Sequence, residues 1–338
     1  MTIRVVTGGL QTTVQDLGRV GYQRDGVPVG GAMDRTALRV GNLLVGNEDG
    51  DAALEASLIG PALAFDEEML IALTGADMEA TVDGHPAPTW RALLVRAGST
   101  LRFGRPIVGC RAYVAIGGGI AAAEAFGSRS TYLRAKFGGY DGRALKPGDV
   151  LETAPPSSRS RRIAASLTAD GSRTNGTSVA RWTISSSVRP RYSDDALVRL
   201  VAGAHVALLT APSRDALAGG TFRISSSSDR MGYRLEGTPL TLRQPVELLS
   251  EGVTFGTVQL PPGGAPIVLM ADAQTTGGYP RVAEVASVDL PLIAQLKPGD
   301  KLRFRFISLE DAQALYLARE TDIAQARAAI ALNHNVKG

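Results

Sequence analysis

The densest run of chemically capable side chains in this sequence follows a short apolar segment, Ile267-Val268-Leu269-Met270. The β-branched residues in that segment predict a buried strand. It is followed by a carboxylate, a carboxamide and two hydroxyls, on Asp272, Gln274, Thr275 and Thr276. Gly277-Gly278 then permits positive φ and close approach of another molecule, so that backbone N–H groups can act as donors. The pattern predicts a polar ligand pocket at a strand end, with a plain hairpin turn as the alternative.

Two more polar clusters lie upstream of this run, at residues 225–234 and 251–262. The first contains consecutive serines before an Asp-Arg pair, and the second contains threonines and Gln259. Each cluster adjoins a strand-like segment, and three such clusters exceed what one turn requires. We therefore predict that the side chains near Arg230, Gln259 and Thr275 converge around one cleft.

Several motifs carry a resemblance to a known family. They read Gln15-Asp16-Leu17-Gly18-Arg19-Val20-Gly21, Gly26-Val27-Pro28 through Met33-Asp34, Ser228-Asp229-Arg230-Met231-Gly232-Tyr233-Arg234-Leu235, Gly256-Thr257-Val258-Gln259-Leu260-Pro261 and Gln274-Thr275-Thr276-Gly277-Gly278-Tyr279-Pro280. They resemble the carboxyltransferase family that includes the carboxyltransferase domain of urea carboxylase, allophanate hydrolase subunit 2, KipA and the C subunit of bacterial 5-oxoprolinase. Such long ungapped motifs are more specific than a lone glycine signature. One departure is Gly30, where the family usually has a serine.

The resemblance implies a mainly β fold with two tandem cyclophilin-like β-barrel domains, a few short helices and a C-terminal helix. Many short predicted strands separated by turns agree with that architecture. A short internal echo also favours duplication, because residues 146–151 and 297–302 share Lys-Pro-Gly-Asp followed, one position later, by leucine. The expected boundaries are an N-terminal barrel at 1–153, a linker at 154–180, a C-terminal barrel at 181–308, and a helix with a tail at 309–338.

The family's chemistry requires groups that help deprotonate an amide-like nitrogen and donors for charge that develops on an oxygen. We assign the catalytic positions to Arg230 as anion clamp, Asp272 as orienting base and Gln274 as a reader of the amide. The predicted substrate contacts are Gln259 as a second amide reader, Thr275, Thr276, Gly277 and Gly278 as oxyanion donors, Tyr233 and Tyr279 as pocket walls, and Asp16. The structural alternatives are that Arg230 only pairs with Asp229 and that Asp272 only caps a turn.

The leading functional hypothesis is the C subunit of an ATP-dependent 5-oxoprolinase, a hydrolase that opens the cyclic amide of 5-oxoproline to glutamate. The resemblance implies a hetero-oligomer with a B-subunit partner of the allophanate hydrolase subunit 1, or KipI, type, which acts together with ATP. The second hypothesis is a carboxyltransferase that moves CO₂ from carboxybiotin, with biotin supplied in trans, to urea or a similar amide. The third is a KipA-like regulatory partner of a kinase inhibitor, without catalysis. The absence of carboxylase modules from the chain favours the first over the second.

Bulk properties exclude several other classes of protein. The 338 residues carry 36 basic and 33 acidic side chains, for a net charge of +3, without the basic stripe of a nucleic-acid-binding protein. The three histidines, at positions 85, 205 and 334, lack metal-ligand spacing and form no Ser-His-Asp set, so we predict no metal. Gly117-Gly118-Gly119 lacks the lysine of a phosphate loop and predicts a tight turn. No signal peptide or membrane span is evident, which predicts a cytoplasmic protein that does not bind membranes.

Overall fold

The computed structural model describes residues 1–169, 173–174 and 176–335 of the chain. Residues 170–172 and 175, within the predicted linker, and residues 336–338, within the predicted tail, lie outside the described residues, as does the side chain of His334. The chain divides into two compact units. The first unit comprises 1–18, 34–190 and 321–338, and the second comprises 19–33 and 191–320.

The first unit contains thirteen strands in the described residues, arranged in two sheets. The strands are β1 Thr2–Thr7, β2 Gln11–Gln15, β3 Ala53–Ser57, β4 Ala62–Phe65, β5 Met69–Asp77, β6 Thr81–Val82, β7 His85–Pro86, β8 Ala92–Val95, β9 Thr100–Arg102, β10 Val108–Ile116, β11 Val150–Glu152, β12 Arg173–Thr174 and β13 Thr177–Val179. One sheet has the order β11-β1-β4-β9-β6-β7 and the other β12-β13-β8-β5-β10-β3-β2. The largest apolar cluster described in this unit includes Leu63, Ile71 and Val114, and a smaller one consists of Ala76, Met78 and Ala112.

Two helices of the first unit differ in how far local sequence signals account for them. Helix α1 spans Arg35–Leu44, and the Asp34 side chain caps it by accepting a hydrogen bond from the Ala37 N–H. An acceptor side chain at Asp34, just before the helical spacing of Ala37, Leu38 and Val40, is the sequence signal for an N-cap, and the structure confirms it. Helix α2 spans Ser158–Ala169 and buries Ile163 and Leu167, which lie four positions apart on one face.

The second unit is built around a closed seven-stranded barrel with the order β14-β21-β18-β19-β16-β15-β22. Its elements are β14 Asp195–Ala202, α3 Ala211–Gly219, β15 Thr221–Ile224, β16 Gly232–Glu236, β17 Glu251–Gly252, β18 Thr257–Gln259, β19 Ile267–Leu269, β20 Thr276–Gly277, β21 Arg281–Val285, α4 Leu290–Ala294, β22 Lys301–Phe306 and α5 Leu309–Asn335. Closure leaves the barrel without free strand edges. Its interior is filled by side chains that include Val198, Phe222, Val258 and Phe304.

Strands β17 and β20 lie outside the barrel and pair with each other, with Glu251 opposite Gly277 and Gly252 opposite Thr276. We call this pair the two-stranded ribbon. The predicted hairpin with a Gly-Gly turn is wrong, because Gly277 lies within a strand of the ribbon.

The short sequence repeat at residues 146–151 and 297–302, the internal echo, forms the same turn in both units. Asp149 accepts from the Lys146 N–H and Asp300 accepts from the Lys297 N–H, at 2.7 and 3.0 Å. The intervening Gly148 and Gly299 have φ of 90° and 91°, a backbone region that glycine adopts readily. Each turn leads into a strand, β11 in the first unit and β22 in the second. The echo therefore corresponds to the same turn and strand entry in each unit.

The structure differs from the expected linker and strands in definite ways. The segment 154–180 contains α2, and its strand β13 pairs with β8 in the first unit. The C-terminal helix is present, but the division between the units falls within it, after Glu320. The apolar residues of Val246–Leu249 predict a strand, but none forms there, and the Leu249 side chain is 90% exposed. Among the described residues, no helix combines the length and apolar character needed to cross a bilayer.

Candidate functional site

Arg230 and Asp272 form a buried ion pair in the second unit. Arg230 Nε lies 2.8 Å from Asp272 Oδ2, and a terminal guanidinium nitrogen lies 3.0 Å from Oδ1. Such a two-point contact fixes both planar groups. Both side chains are less than 10% exposed. The structural alternative that Arg230 pairs with Asp229 is wrong, because Asp229 accepts from the Met231 and Gly232 N–H groups.

Strand pairing explains how residues so distant in sequence meet. Strands β16 and β19 are antiparallel, with Gly232 opposite Leu269. The pairing extends past the strand ends, because the Asp272 N–H donates to the Arg230 carbonyl at 2.9 Å. The two side chains therefore leave neighbouring loops at the same end of the barrel.

Backbone groups of the second unit also contact the Arg230–Asp272 pair and its loop. The Arg230 guanidinium also donates to the Gly31 carbonyl at 2.6 Å, and the Gly30 N–H donates to the Ala271 carbonyl at 3.1 Å. A Cβ on Gly30 would lie 2.9 Å from Arg19 Nη1 and 3.6 Å from Asp272 Oδ1. The glycine-rich segment around Gly30 therefore packs directly against the Arg230–Asp272 pair.

A second group of polar residues lies on the outer face of β18 and β21. Gln259 is only 1% exposed, and a Cβ on Gly277 would lie 2.5 Å from its Nε2 atom. Neither Gly277 nor Gly278 has positive φ. The glycine at position 277 is therefore required by the close approach of the Gln259 amide and not by a turn.

Glu284 is the acid of this outer face. The Thr257 hydroxyl lies 2.9 Å from Glu284 Oε2 and 3.1 Å from Oε1, because the two residues are directly opposite on β18 and β21. Burial raises the pKa of the Glu284 carboxyl, against hydrogen bonds from Thr257 and Thr254 and the charge of Arg281, which lower it. A carboxyl group tuned in this way can exchange a proton more readily near neutral pH than an exposed glutamate.

The remaining predicted residues of the second unit lie in different surroundings. Tyr233 is buried in the barrel core and donates to the Leu296 carbonyl at 3.2 Å, so it does not wall an open pocket. Gln274, Thr276, Gly278 and Tyr279 are exposed, and Thr275 is partly buried. The Thr275 carbonyl accepts from the Val253 N–H, which ties the ribbon together.

Asp16 belongs to the first unit, where it organises a loop. Its carboxylate accepts from the hydroxyls of Ser128 and Ser130 and from the N–H groups of Gly18 and Arg129, at 2.5 to 2.7 Å. The side chain is 6% exposed. These contacts give Asp16 a structural role in that loop.

The glycine run at 117–119 is a turn whose N–H groups are all engaged. They donate to the Leu70 carbonyl, the Asn47 side chain and the Ile116 carbonyl, respectively. A phosphate cradle needs such N–H groups directed at the ligand. This turn therefore does not fit a nucleotide phosphate. Within the described part of the chain, no group of three or more His, Cys, Asp or Glu side chains could hold a metal ion.

The sequence analysis missed Glu284 and Arg281 because a strand irregularity brings them together. Thr257 pairs with Glu284, but the register shifts before Gln259, which pairs with Arg281. A bulge places an extra residue on one strand, so residues three apart on β21 share the outer face. Strict alternation along the sequence would have separated them.

The fold and the site together define a carboxyltransferase-type domain. The family model for the carboxyltransferase domain, subdomain A and B, matches residues 25–306, and the chain belongs to this family. Among its relatives, the C subunit of 5-oxoprolinase from Haemophilus influenzae is 37% identical over 94% of this chain and 95% of that protein. The C subunit of Escherichia coli 5-oxoprolinase is 39% identical over 92% of this chain and 93% of its own length.

A solved structure extends the likeness to the fold. The crystal structure of Kluyveromyces lactis urea carboxylase matches with a TM-score of 0.85 and 30% identity. The match covers 96% of this chain but only 29% of that chain. The mainly β architecture that the sequence predicts is therefore confirmed.

Proposed function

We propose that the chain is the C subunit of an ATP-dependent 5-oxoprolinase, which opens 5-oxoproline to glutamate together with a B-subunit partner. The observation that carries this proposal is the sequence identity of 37% and 39% to two 5-oxoprolinase C subunits. Each alignment covers nearly the full length of this chain and of the relative. Relatives named urea amidolyase are 32% identical and are covered over less than a fifth of their length.

The second unit offers the residue types that lactam opening requires. The reaction needs donors around the amide oxygen, where negative charge develops, and a group that manages the proton on nitrogen. Gln259 and Arg281 are donors on the outer face of β18 and β21, and Glu284 is an acid on the same face. The Arg230–Asp272 pair anchors the loop from which the ribbon strand β20 continues.

ATP is assigned to the complex and not to this chain alone. The glycine turn at 117–119 has no N–H group left for a phosphate, which supports nucleotide binding by the partner. The partner proposed is of the allophanate hydrolase subunit 1 type, and the complex is a cytoplasmic hetero-oligomer.

The test is a reconstituted assay of this chain with a B-subunit protein of the allophanate hydrolase subunit 1 type. We expect ATP hydrolysis that depends on 5-oxoproline and that is matched by glutamate formation. Each component alone, and the complex without ATP, should form no glutamate. A complex that assembles fully but forms no glutamate would refute the assignment.

A carboxyltransferase acting on urea or a similar amide is the second candidate, favoured by the structural match to urea carboxylase. It predicts activity only when carboxybiotin is supplied in trans, with the carboxyl group moved to the amide nitrogen. The same reconstituted protein, given urea and a carboxylated biotin donor, distinguishes the two reactions. Tight complex formation without turnover of either substrate would instead indicate a regulatory partner.

A further inference from the structure

Two buried donors on the outer face of the barrel have no acceptor among the described residues. They are Gln259 Nε2 and Arg281 Nε. Buried donors in folded proteins nearly always have a hydrogen-bond partner, so each such exception calls for an explanation. A ligand oxygen would supply one.

The two donors are neighbours. Gln259 and Arg281 are directly opposite on the antiparallel strands β18 and β21, and they follow the register shift that turns both to the outer face. Side chains of directly opposed residues on one face lie about 5 Å apart at Cβ. One acceptor atom can therefore contact both.

The other groups around this position define its chemistry. The Arg281 guanidinium is held by the Glu251 carboxylate and the Gly252 carbonyl of the ribbon, so its Nε is fixed in orientation. Glu284 lies on the same face, and Thr257 donates to its carboxylate. The face thus presents two donors beside one acidic acceptor, with Glu251 balancing the charge of Arg281.

A cyclic amide has the complementary pattern. In a lactam the carbonyl oxygen and the N–H lie on the same side of the ring, so one edge presents an acceptor next to a donor. The Arg230 guanidinium does not offer this match, because it already donates to both Asp272 oxygens and to Gly31.

We infer that the amide edge of the substrate binds at this face, its carbonyl oxygen accepting from Gln259 Nε2 and Arg281 Nε and its N–H donating to Glu284. This inference rests on the proposed function and names the residues that bind the amide edge of the lactam. The donors then face the oxygen on which charge develops, and Glu284 contacts the nitrogen whose proton must be managed. Gly277 closes the position from the ribbon side, next to the Gln259 amide.

The first test measures binding of 5-oxoproline to the full-length chain by NMR titration. Gln259→Glu replaces the donor by an acceptor, and Arg281→Lys keeps the charge but removes Nε. We expect each to weaken binding by about 10-fold or more, as for lost hydrogen bonds to polar ligands. Arg303→Lys, on an exposed ion pair with Asp195, is the matched control and should bind as the wild type does.

The second test uses two glycines of the ribbon and does not remove any side chain. Gly277→Ala places a methyl group against the Gln259 amide and should weaken binding by about 5-fold or more, since the amide must move. Gly252→Ala, on the opposite ribbon strand, meets nothing within 4 Å and should have no effect. Equal affinity of both alanine variants and the wild type would contradict the inference.

The third test isolates the N–H of the substrate. 1-Methyl-5-oxoproline keeps the carbonyl and carboxylate but lacks the donor, so the wild-type chain should prefer 5-oxoproline, and Glu284→Ala should lose that preference. Equal binding of both compounds by the wild type, or no binding of 5-oxoproline, would overturn the inference.

The expected binding pattern without glutamate formation in the complex would refute the proposed function alone. Turnover with wild-type Michaelis constants in the Gln259 and Arg281 variants would refute the site alone.

Discussion

At the scale of single residues, the Arg230–Asp272 pair behaves as one structural unit. Each charge is buried and is neutralised by the other, so removing either leaves an uncompensated charge in a poorly solvated place. The sequence assigned these residues separate catalytic roles, as clamp and base. The geometry shows that each orients the other, and that both hold the loop between β19 and the ribbon, while the catalytic roles stay predictions.

The pair predicts a strong thermodynamic coupling. Arg230→Ala and Asp272→Ala should each lower the free energy of unfolding by about 3–5 kcal/mol, and the double variant by clearly less than the sum. Urea unfolding followed by circular dichroism measures all three. Arg303→Ala, which breaks an exposed pair, should cost at most about 1 kcal/mol. Additive losses for the buried pair would contradict this account.

Glu284 predicts a pH dependence of stability. Burial raises its pKa in the folded state above that in the unfolded chain, so the folded state holds the proton more tightly. The stabilisation from this group is fully present below the unfolded pKa and is lost as pH rises through the folded pKa. Compared with Glu284→Gln, the wild type should therefore become progressively less stable on going from about pH 4 to pH 7.

The measurement is the difference in melting temperature between the wild type and Glu284→Gln across that pH range. The matched control is Glu310→Gln, which removes an exposed carboxyl group in the first turn of α5 and so measures the effect of losing a glutamate charge away from Glu284. A difference that is constant with pH would show that Glu284 has no raised pKa in the folded protein.

Motif spacing found Gln259, Arg230 and Asp272, because these residues lie in or beside long ungapped motifs. It did not find Arg281 and Glu284, whose approach depends on a shift in strand register. The side chain of Tyr233 lies in the same motif as Arg230 but faces the core, as alternation along a strand allows. A motif identifies a region of the sequence, while the pairing of strands decides which side chains lie on the same face of the barrel.

At the scale of elements, the sequence indicates an element correctly where contacts between residues close in sequence stabilise it. Helix α1 begins at the Asp34 cap that the sequence indicates, and both Lys-Pro-Gly-Asp segments form the turn that glycine and aspartate favour. Helix α2 was predicted as linker, because its apolar stripe consists of only Ile163 and Leu167 amid arginine and serine. Such a helix is stabilised by tertiary packing, which composition does not reveal.

The Asp34 cap predicts a measurable contribution of α1. Asp34→Ala removes the acceptor for the Ala37 N–H and should cost about 1–2 kcal/mol of unfolding free energy. Asp34→Ser keeps a capping oxygen and should recover most of that loss. Chemical denaturation of the two variants tests the point, and equal losses would indicate that burial of Asp34, and not capping, accounts for the effect.

At the scale of the whole molecule, the chain builds two separate cores. Leu63 and Leu101 belong to the cluster of the first unit, and Leu302 belongs to that of the second. All three side chains are fully buried. The duplication was visible in the sequence only as a six-residue echo, because the side chains that fill the two cores differ while the strand entries are retained.

Because the two clusters lie in different units, we expect substitutions in different units to lower the free energy of unfolding additively. Substitutions within one unit should be coupled. Leu63→Ala and Leu302→Ala should each cost about 2–5 kcal/mol, and the double variant should match their sum to within about 0.5 kcal/mol. Leu63→Ala combined with Leu101→Ala is the positive control, because these residues are opposite on β4 and β9, so the two truncations would open one shared space in the core. That pair should depart from additivity by about 0.5–3 kcal/mol. Calorimetry measures these losses and tests, from the ratio of calorimetric to van't Hoff enthalpy, whether unfolding is two-state. Coupling of similar size in both double variants would mean that the clusters respond as a single core.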